Sequence, residues 1–301
     1  MSCSEGCFRF SATNWRVEVT EMLGVFRRKK KEVELDRILA GYELPSFPTT
    51  AMTVLAKLRD PDVPLEEIAA DLELDPGLHV RVLRTVNSVA FGLTRKVSNV
   101  THAVTLLGRN RLEALVLGVA AKGTIDRCLV PGWFDMKGFW LSAARRASVA
   151  RSVAMRYRPN AQSEAFTGGL LQDMAVPILA ATRGNVYQKI YRKWQQTPET
   201  TLAGLELEHF GTCHAEIGAV LAQRWDFPEE LVSAIEGHHS KQAENPGIRV
   251  ASWIADRREV PNREELAHFL DQDTNLDPSF LEETLSRAED EAAELLESLN
   301  G

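Results

Sequence analysis

The chain has 301 residues, 44% of them hydrophobic and 26% charged, with a formal charge of −7. That size suits one large or two small globular domains, with enough core to fold without disulfide or metal staples. The negative balance argues against the broad basic face of a nucleic-acid binder, and no apolar run reaches the ~20 residues that span a bilayer. The four cysteines (Cys3, Cys7, Cys128, Cys213) are too scattered for a disulfide framework and fit a reducing compartment. Cys3 and Cys7 lack a second Cys/His pair to complete a four-ligand site. The N-terminal stretch has no basic start followed by an apolar run, so no secretory signal is expected and the chain is expected to be cytoplasmic.

Residues 1–40 are set apart as a leader. Its basic cluster, Arg27 to Lys31, lies beside an amphipathic segment with Val33, Leu35, Ile38 and Leu39. That pattern suits a helix docking on a membrane surface or a partner; a solvated charged face is the preferred reading. From Leu44 onward the pattern is helical. In "LPSFPTTAMTVLAKLRD" the threonines are expected to cap a helix carrying Met52, Val54, Leu55 and Leu58. Two further helices are expected to start at proline behind an aspartate: Pro64 after Asp62, and Pro76 after Asp75. The second of these places Leu78, Val82, Leu83 and Val86 on one stripe.

A helix over "VSNVTHAVTLL" is expected to stop at Gly108 in the left-handed conformation, and a Leu- and Val-rich helix follows. "GFWLSAARRASVARSVAMRY" reads as a long amphipathic helix, "FTGGLLQDMAVPILA" as a buried apolar helix interrupted by Gln172 and Asp173. "CHAEIGAVLAQRWDFPEELVSAIEGHH" reads as two helices meeting at "DFP". The tail begins at Asp277–Pro278 and keeps Leu281, Leu285, Ala288, Ala292 and Leu296 on one face. Alternating strand patterns are nearly absent. The expected fold is all-α, about a dozen short helices joined by tight turns. The main domain is expected over 41–260, in parts 41–125 and 126–260, with 261–301 as C-terminal helices packing on or extending it.

Polar residues on apolar helices locate the chemistry: Asp173, His214, the pair His238–His239, and Asp256 in "ASWIADRRE". Imidazole and carboxylate suit divalent ions such as Zn, Mn, Fe or Ni. Adjacent histidines on a helix diverge by about 100°, so both reach one ion only near a helix end, and Gly237 and Ser240 suggest one. Singly, each residue reads as a hydrogen-bonded core histidine or a capping aspartate. All of them in this order is a more specific signal.

Those residues stand within a set of motifs: "LPSFP" (44–48), "DPGLHVRVLRTVNSVAFG" (75–92), "AVTLLG" (103–108), "GFW" (138–140), "GGLLQDM" (168–174), "HAEIGAVLAQRW" (214–225), "FPEELVSAIEGHH" (227–239) and "IAD" (254–256). Together they resemble the HDOD family, bacterial signalling proteins related to the HD metal-dependent phosphohydrolases. The resemblance implies an HD-like helical bundle over residues 41–260. It also implies a metal-ligand pattern from which the chain departs. The first histidine position holds Ser142, the histidine of the His-Asp doublet is Gln172, and Val176 stands where phosphodiesterases often carry lysine. No Gly-Tyr-Pro signature follows His238–His239. Hydroxyl and amide oxygens are weak donors toward a divalent ion, so the first metal site is expected to be lost and two-metal phosphodiester hydrolysis with it.

The ligands that the resemblance implies for a second ion, Asp173, His214, His238 and His239, all remain. The preferred reading is a hydrogen-bonded polar cluster with no cofactor, Gln172 and Ser142 supplying donors; the alternative is one divalent ion. "VNSVAFG" carries a second candidate feature: Asn87 and Ser88 close a helix, as local backbone caps or as a recognition surface with Arg81, Arg84, Arg95 and Lys96. The expected function is a non-catalytic regulatory protein of bacterial signal transduction, binding a protein partner or a nucleotide or cyclic-dinucleotide signal. A residual one-metal phosphohydrolase is the alternative, and a nucleic-acid-associated role ranks last. The sequence sets no oligomeric state.

Overall fold

Helix starts and stops in the computed structural model follow the proline, aspartate and glycine punctuation of the chain. The structure describes residues 33, 36–39, 41–88, 91, 93, 96–197, 199–240, 245–255, 265, 268 and 276–300. Thirteen α-helices have described bounds, and no strand occurs among the described residues. Helices α1 (Thr49–Arg59), α2 (Leu65–Glu73), α3 (Pro76–Val86), α4 (Val100–Leu107) and α5 (Arg109–Ile125) come first. They are followed by α6 (Met136–Tyr157), α7 (Gln162–Leu171), α8 (Ala175–Gln196), α9 (Leu202–Phe210), α10 (His214–Arg224), α11 (Glu229–Glu236), α12 (Pro246–Ala255) and α13 (Pro278–Asn300). No helix among the described residues is long and apolar enough to cross a membrane.

Asp75 caps α3 as its sequence suggests: its Oδ1 accepts from the Leu78 amide at 2.9 Å and Pro76 takes the first helical position. Two other starts differ from expectation. Thr49 is the first residue of α1 and Pro48 its N-cap, without a side-chain bond. Asp62 does not cap α2, whose N-cap is Pro64. In both cases proline already fixes the backbone that enters the helix, and at α2 Glu66 and Glu67 place carboxylates in the first turn. Gly108 does end α4 with positive φ, but at φ 72° and ψ 171° it is extended rather than left-handed helical, which lets α5 begin at the next residue.

The main apolar cluster runs from Ile38 to Leu299, and a second gathers Val149 and Val153 of α6 with Val250, Ile254, Leu281 and Leu285. Helix α6 contributes to both, packing on α7, α12 and α13. The expected stripe of α13, Leu281, Leu285, Ala288, Ala292 and Leu296, is buried. Small residues set the α6 contacts. A Cβ on Gly169 of α7 would lie 2.9 Å from the Arg146 carbonyl oxygen, and one on Gly247 of α12 would lie 2.1 Å from that of Ala150. Both helices therefore approach the α6 backbone more closely than any larger residue allows.

The stretch 166–180 is two helices instead of one interrupted helix. Helix α7 ends at Leu171, α8 starts at Ala175, and Gln172, Asp173 and Met174 form the turn between them. Pro177 explains the break. It lacks an amide hydrogen and its ring would clash with the carbonyl four residues back, so it is tolerated only in the first turn of a new helix. The doublet is thus presented at a helix junction.

Candidate metal centre

Asp173 enters from the α7–α8 turn, His214 is the first residue of α10, and His238 and His239 follow the end of α11 at Glu236. One potential ligand atom from each of the four lies within 4.8 Å of every other. Asp173 Oδ1 is 3.1 Å from His238 Nε2 and 3.3 Å from His214 Nε2. His214 Nε2 is in turn 3.3 Å from His238 Nε2 and 2.9 Å from His239 Nε2. His214, His238 and Asp173 are 2%, 0% and 13% exposed at their side chains, so water cannot separate the charges.

The surroundings assign the tautomers. His214 Nδ1 donates to Glu206 Oε2 at 2.6 Å, and His238 Nδ1 donates to the Ile235 carbonyl at 2.7 Å. With those protons on Nδ1, each neutral ring turns an Nε2 lone pair inward. Two lone pairs and the Asp173 Oδ1 carboxylate oxygen then face one another within hydrogen-bond distance with no hydrogen between them. Only a cation resolves that arrangement: a proton on one ring, or a metal ion. Carboxylate or carbonyl oxygens behind Nδ1 are the usual outer partners of metal-ligating histidines. Glu206 is itself fixed, accepting from the His214 amide at 2.7 Å and from the Tyr187 hydroxyl.

Electrostatics agree. Burial pushes the His214 imidazole down, but the Glu206 and Asp173 carboxylates outweigh it and hold its pKa well above the usual value. His238 stays below its usual value, because burial exceeds the help from Asp173. Burial would raise the Asp173 carboxyl, yet the Arg146 guanidinium and the two imidazoles keep it well below the usual range. Without metal, the shared proton therefore belongs on His214.

The half of the site expected to be degenerate is occupied by an arginine. Arg146 of α6, 3% exposed, sets Nη2 2.9 Å from Asp173 Oδ2 and donates from Nη1 to Ser142 Oγ at 3.1 Å. Gln172 is fully buried, and neither its amide oxygen nor its nitrogen has a hydrogen-bond partner among the described residues. The polar-cluster reading assigned donor roles to Gln172 and Ser142. The structure differs: Ser142 accepts from Arg146, and Gln172 makes no side-chain hydrogen bond to the cluster. Arg146, Glu206 and Tyr187 were absent from the sequence reading. Their signal was available: Arg146 interrupts the buried alanines 143, 144 and 147, and Glu206 follows the buried Leu202 and Leu205 by helical spacing.

The remaining candidates lie elsewhere. Asn87 is a local cap: its amide donates to the Leu83 and Val97 carbonyls and accepts from the Val97 amide, while Ser88 Oγ donates to the Thr85 carbonyl. Arg81 packs over Gly123 of α5. Arg84 and Lys96 border a shallow hollow with Glu294 and Glu297 of α13. Asp256, Arg95 and the Arg27–Lys31 cluster lie outside the described residues.

Residues 44–241 match the family model described as HDOD domain. An uncharacterised protein of Treponema pallidum (strain Nichols) is 27% identical over 201 residues, which is 66% of this chain but only 38% of that relative's length. A crystal structure of a candidate phosphohydrolase from Shewanella amazonensis SB2B superposes with a TM-score of 0.69 at 27% identity, covering 88% of this chain and 98% of that one. A candidate signal transduction protein from Marinobacter aquaeolei VT8 gives a TM-score of 0.66 at 19% identity, covering 91% of this chain and 66% of that one, a likeness of fold alone.

Proposed function

The chain belongs to the HDOD domain family, and from that premise we propose that it is a non-catalytic regulatory protein of bacterial signal transduction, built around one divalent ion. The ion, Zn, Mn, Fe or Ni by its donor set, would be held by Asp173, His214, His238 and His239. When bound it supplies a positive charge that ties together the α7–α8 turn, the start of α10 and the end of α11. Its structural role follows from where the ligands stand: they come from three separate helix ends, and His214 and His238 are 2% and 0% exposed at their side chains. The output is binding of a protein partner or a nucleotide-type signal.

The observation that carries this reading is the Arg146–Asp173 pair at 2.9 Å. For Asp173 to join a pair of ions that clamp the attacking and leaving oxygens, it would have to lend one carboxylate oxygen to each. Here the second oxygen of Asp173 is held by a guanidinium that cannot lose its proton, and Ser142 and Gln172 supply no imidazole. A fixed organic cation replaces a Lewis acid, and no water is activated at that position.

Metal analysis of untagged protein, with turnover assays on mono- and diester phosphates in added Mn, Fe and Zn, tests both halves. About one equivalent of metal per chain and no turnover are expected. Less than about a tenth of an equivalent removes the ion from the account. Turnover that disappears in Asp173→Ala would overturn the regulatory reading in favour of a one-metal phosphohydrolase, the activity suggested for the Shewanella protein.

A further inference from the structure

The metal cluster opens on a cavity of about 540 Å³, whose wall includes Asp173, His214 and His239. Its composition is not that of a structural void. Three rings form an aromatic side: Trp133 and Tyr191 stand 5.9 Å apart by ring centroids, and Tyr191 and Trp194 stand 5.2 Å apart. Three guanidinium groups line the same space, those of Arg145, Arg146 and Arg192. The carboxylates there are two, and both are engaged: Asp135 accepts from the Gly138 amide at 2.9 Å, and Asp173 is paired with Arg146.

The cavity also carries unspent donor capacity. Trp133 Nε1 is buried and has no hydrogen-bond partner among the described residues. Arg192 is exposed and makes no ion pair or hydrogen bond among them. Arg145 is tied outward to Glu289 at 2.5 Å. Among the described lining residues arginines therefore outnumber carboxylates, and Arg192 shares its helix with Tyr191 and Trp194, so positive charge and aromatic rings lie on one wall.

From this arrangement we propose that the cavity binds, without cleaving it, an organic phosphate bearing a flat aromatic ring, that is, a nucleotide. The ring would lie against Trp133, Tyr191 and Trp194, since stacking on aromatic side chains is open to every base. The phosphate would be taken by Arg192, whose planar fork fits phosphate oxygens, with the charge of Arg145 on the same wall. The volume is within the range of small-ligand sites. This assignment rests on the non-catalytic reading above and names the signal that it leaves open.

Calorimetry on the full chain as purified, with its metal content retained, tests the proposal with adenosine and guanosine monophosphates as probes, and with adenosine and inorganic phosphate as separate arms. Each nucleotide is expected to bind one per chain, at least about tenfold more tightly than either fragment, since the two halves are read together. Arg192→Ala, at an exposed position that leaves the core intact, should weaken the nucleotides at least about fivefold and leave adenosine unchanged. Trp133→Ala should weaken nucleotide and nucleoside alike. No heat from either nucleotide at millimolar concentration, or affinities unmoved by both variants, would overturn it. Chromatography of the cell contents separates the two readings: nucleotide recovered as nucleoside refutes the non-catalytic function, whereas absent binding refutes only the cavity assignment.

Discussion

Arg146 Nη2 and Asp173 Oδ2 are 2.9 Å apart; Arg146 belongs to α6 and Asp173 to the turn after α7, and Gly169 of α7 lets that helix lie against the Arg146 backbone. The pair does more than neutralise a buried acid. It uses the carboxylate oxygen turned away from His214 and His238 and leaves the other facing them. Asp173 is divided between an internal cation on one side and the imidazole cluster on the other.

Removing one partner of a buried pair leaves an uncompensated charge. Arg146→Ala is expected to lower unfolding free energy by about 3–5 kcal/mol in urea titrations, while a double Arg146→Met, Asp173→Leu variant recovers much of that loss. A loss below about 1 kcal/mol in the single variant, the size of a surface pair, would mean that the guanidinium is not bound to Asp173 in solution.

Glu206 acts on the centre only through His214. Glu206→Gln keeps the shape but cannot hold the imidazole proton as a carboxylate does, and it should reduce metal affinity about 10–100-fold without changing the ligand set. Competition with a fluorescent chelator measures this. Equal affinities would show that His214 is oriented by something else.

The pH dependence follows from the direction of each shift. His214 has a raised folded pKa, so in metal-free protein its contribution to stability is fully present below the unfolded value of 6.5 and disappears as pH rises through the higher folded value. His238 is depressed and works the opposite way, losing stability as pH falls below 6.5. Asp173 contributes above its unfolded value of 3.8 and loses that contribution as pH falls through its folded pKa. Metal must displace the His214 proton, so affinity should climb with pH up to that folded pKa and level off beyond it. Urea titrations from about pH 5 to 9 should lose the alkaline decline in His214→Gln; an unchanged profile would place the proton elsewhere.

Gly169→Ala tests how the halves are held. Its Cβ would meet the Arg146 carbonyl oxygen at 2.9 Å, forcing α6 and α7 apart. A cost of about 1–3 kcal/mol is expected, together with weaker protection of Asp173 from water. Unchanged stability would show that the interface has slack.

Much of this was legible in the sequence because the signals are local. Asp75–Pro76 announced a capped helix, and the apolar spacing from Leu281 to Leu296 announced the buried face of α13. The four clustered ligands were legible as a set only through the order in which they recur along the chain. Two kinds of feature were not read. The break at Gln172–Met174 is encoded three residues downstream in Pro177, where the apolar run concealed it. Arg146 and Glu206 sit on apolar faces with correct helical spacing, yet a buried charge has no meaning until its partner is known. Arg146 lies in α6 and Asp173 in the α7–α8 turn, and only tertiary packing brings them together. The same reason undid the donor role given to Gln172, since a residue's neighbours in sequence do not reveal which bonds its amide can reach.

The most direct test is anomalous diffraction from crystals equilibrated with excess manganese. A single peak coordinated by Asp173, His214, His238 and His239, with Arg146 still on Asp173 Oδ2, is the result expected. Two peaks sharing Asp173, with the Arg146 side chain displaced, would contradict the account.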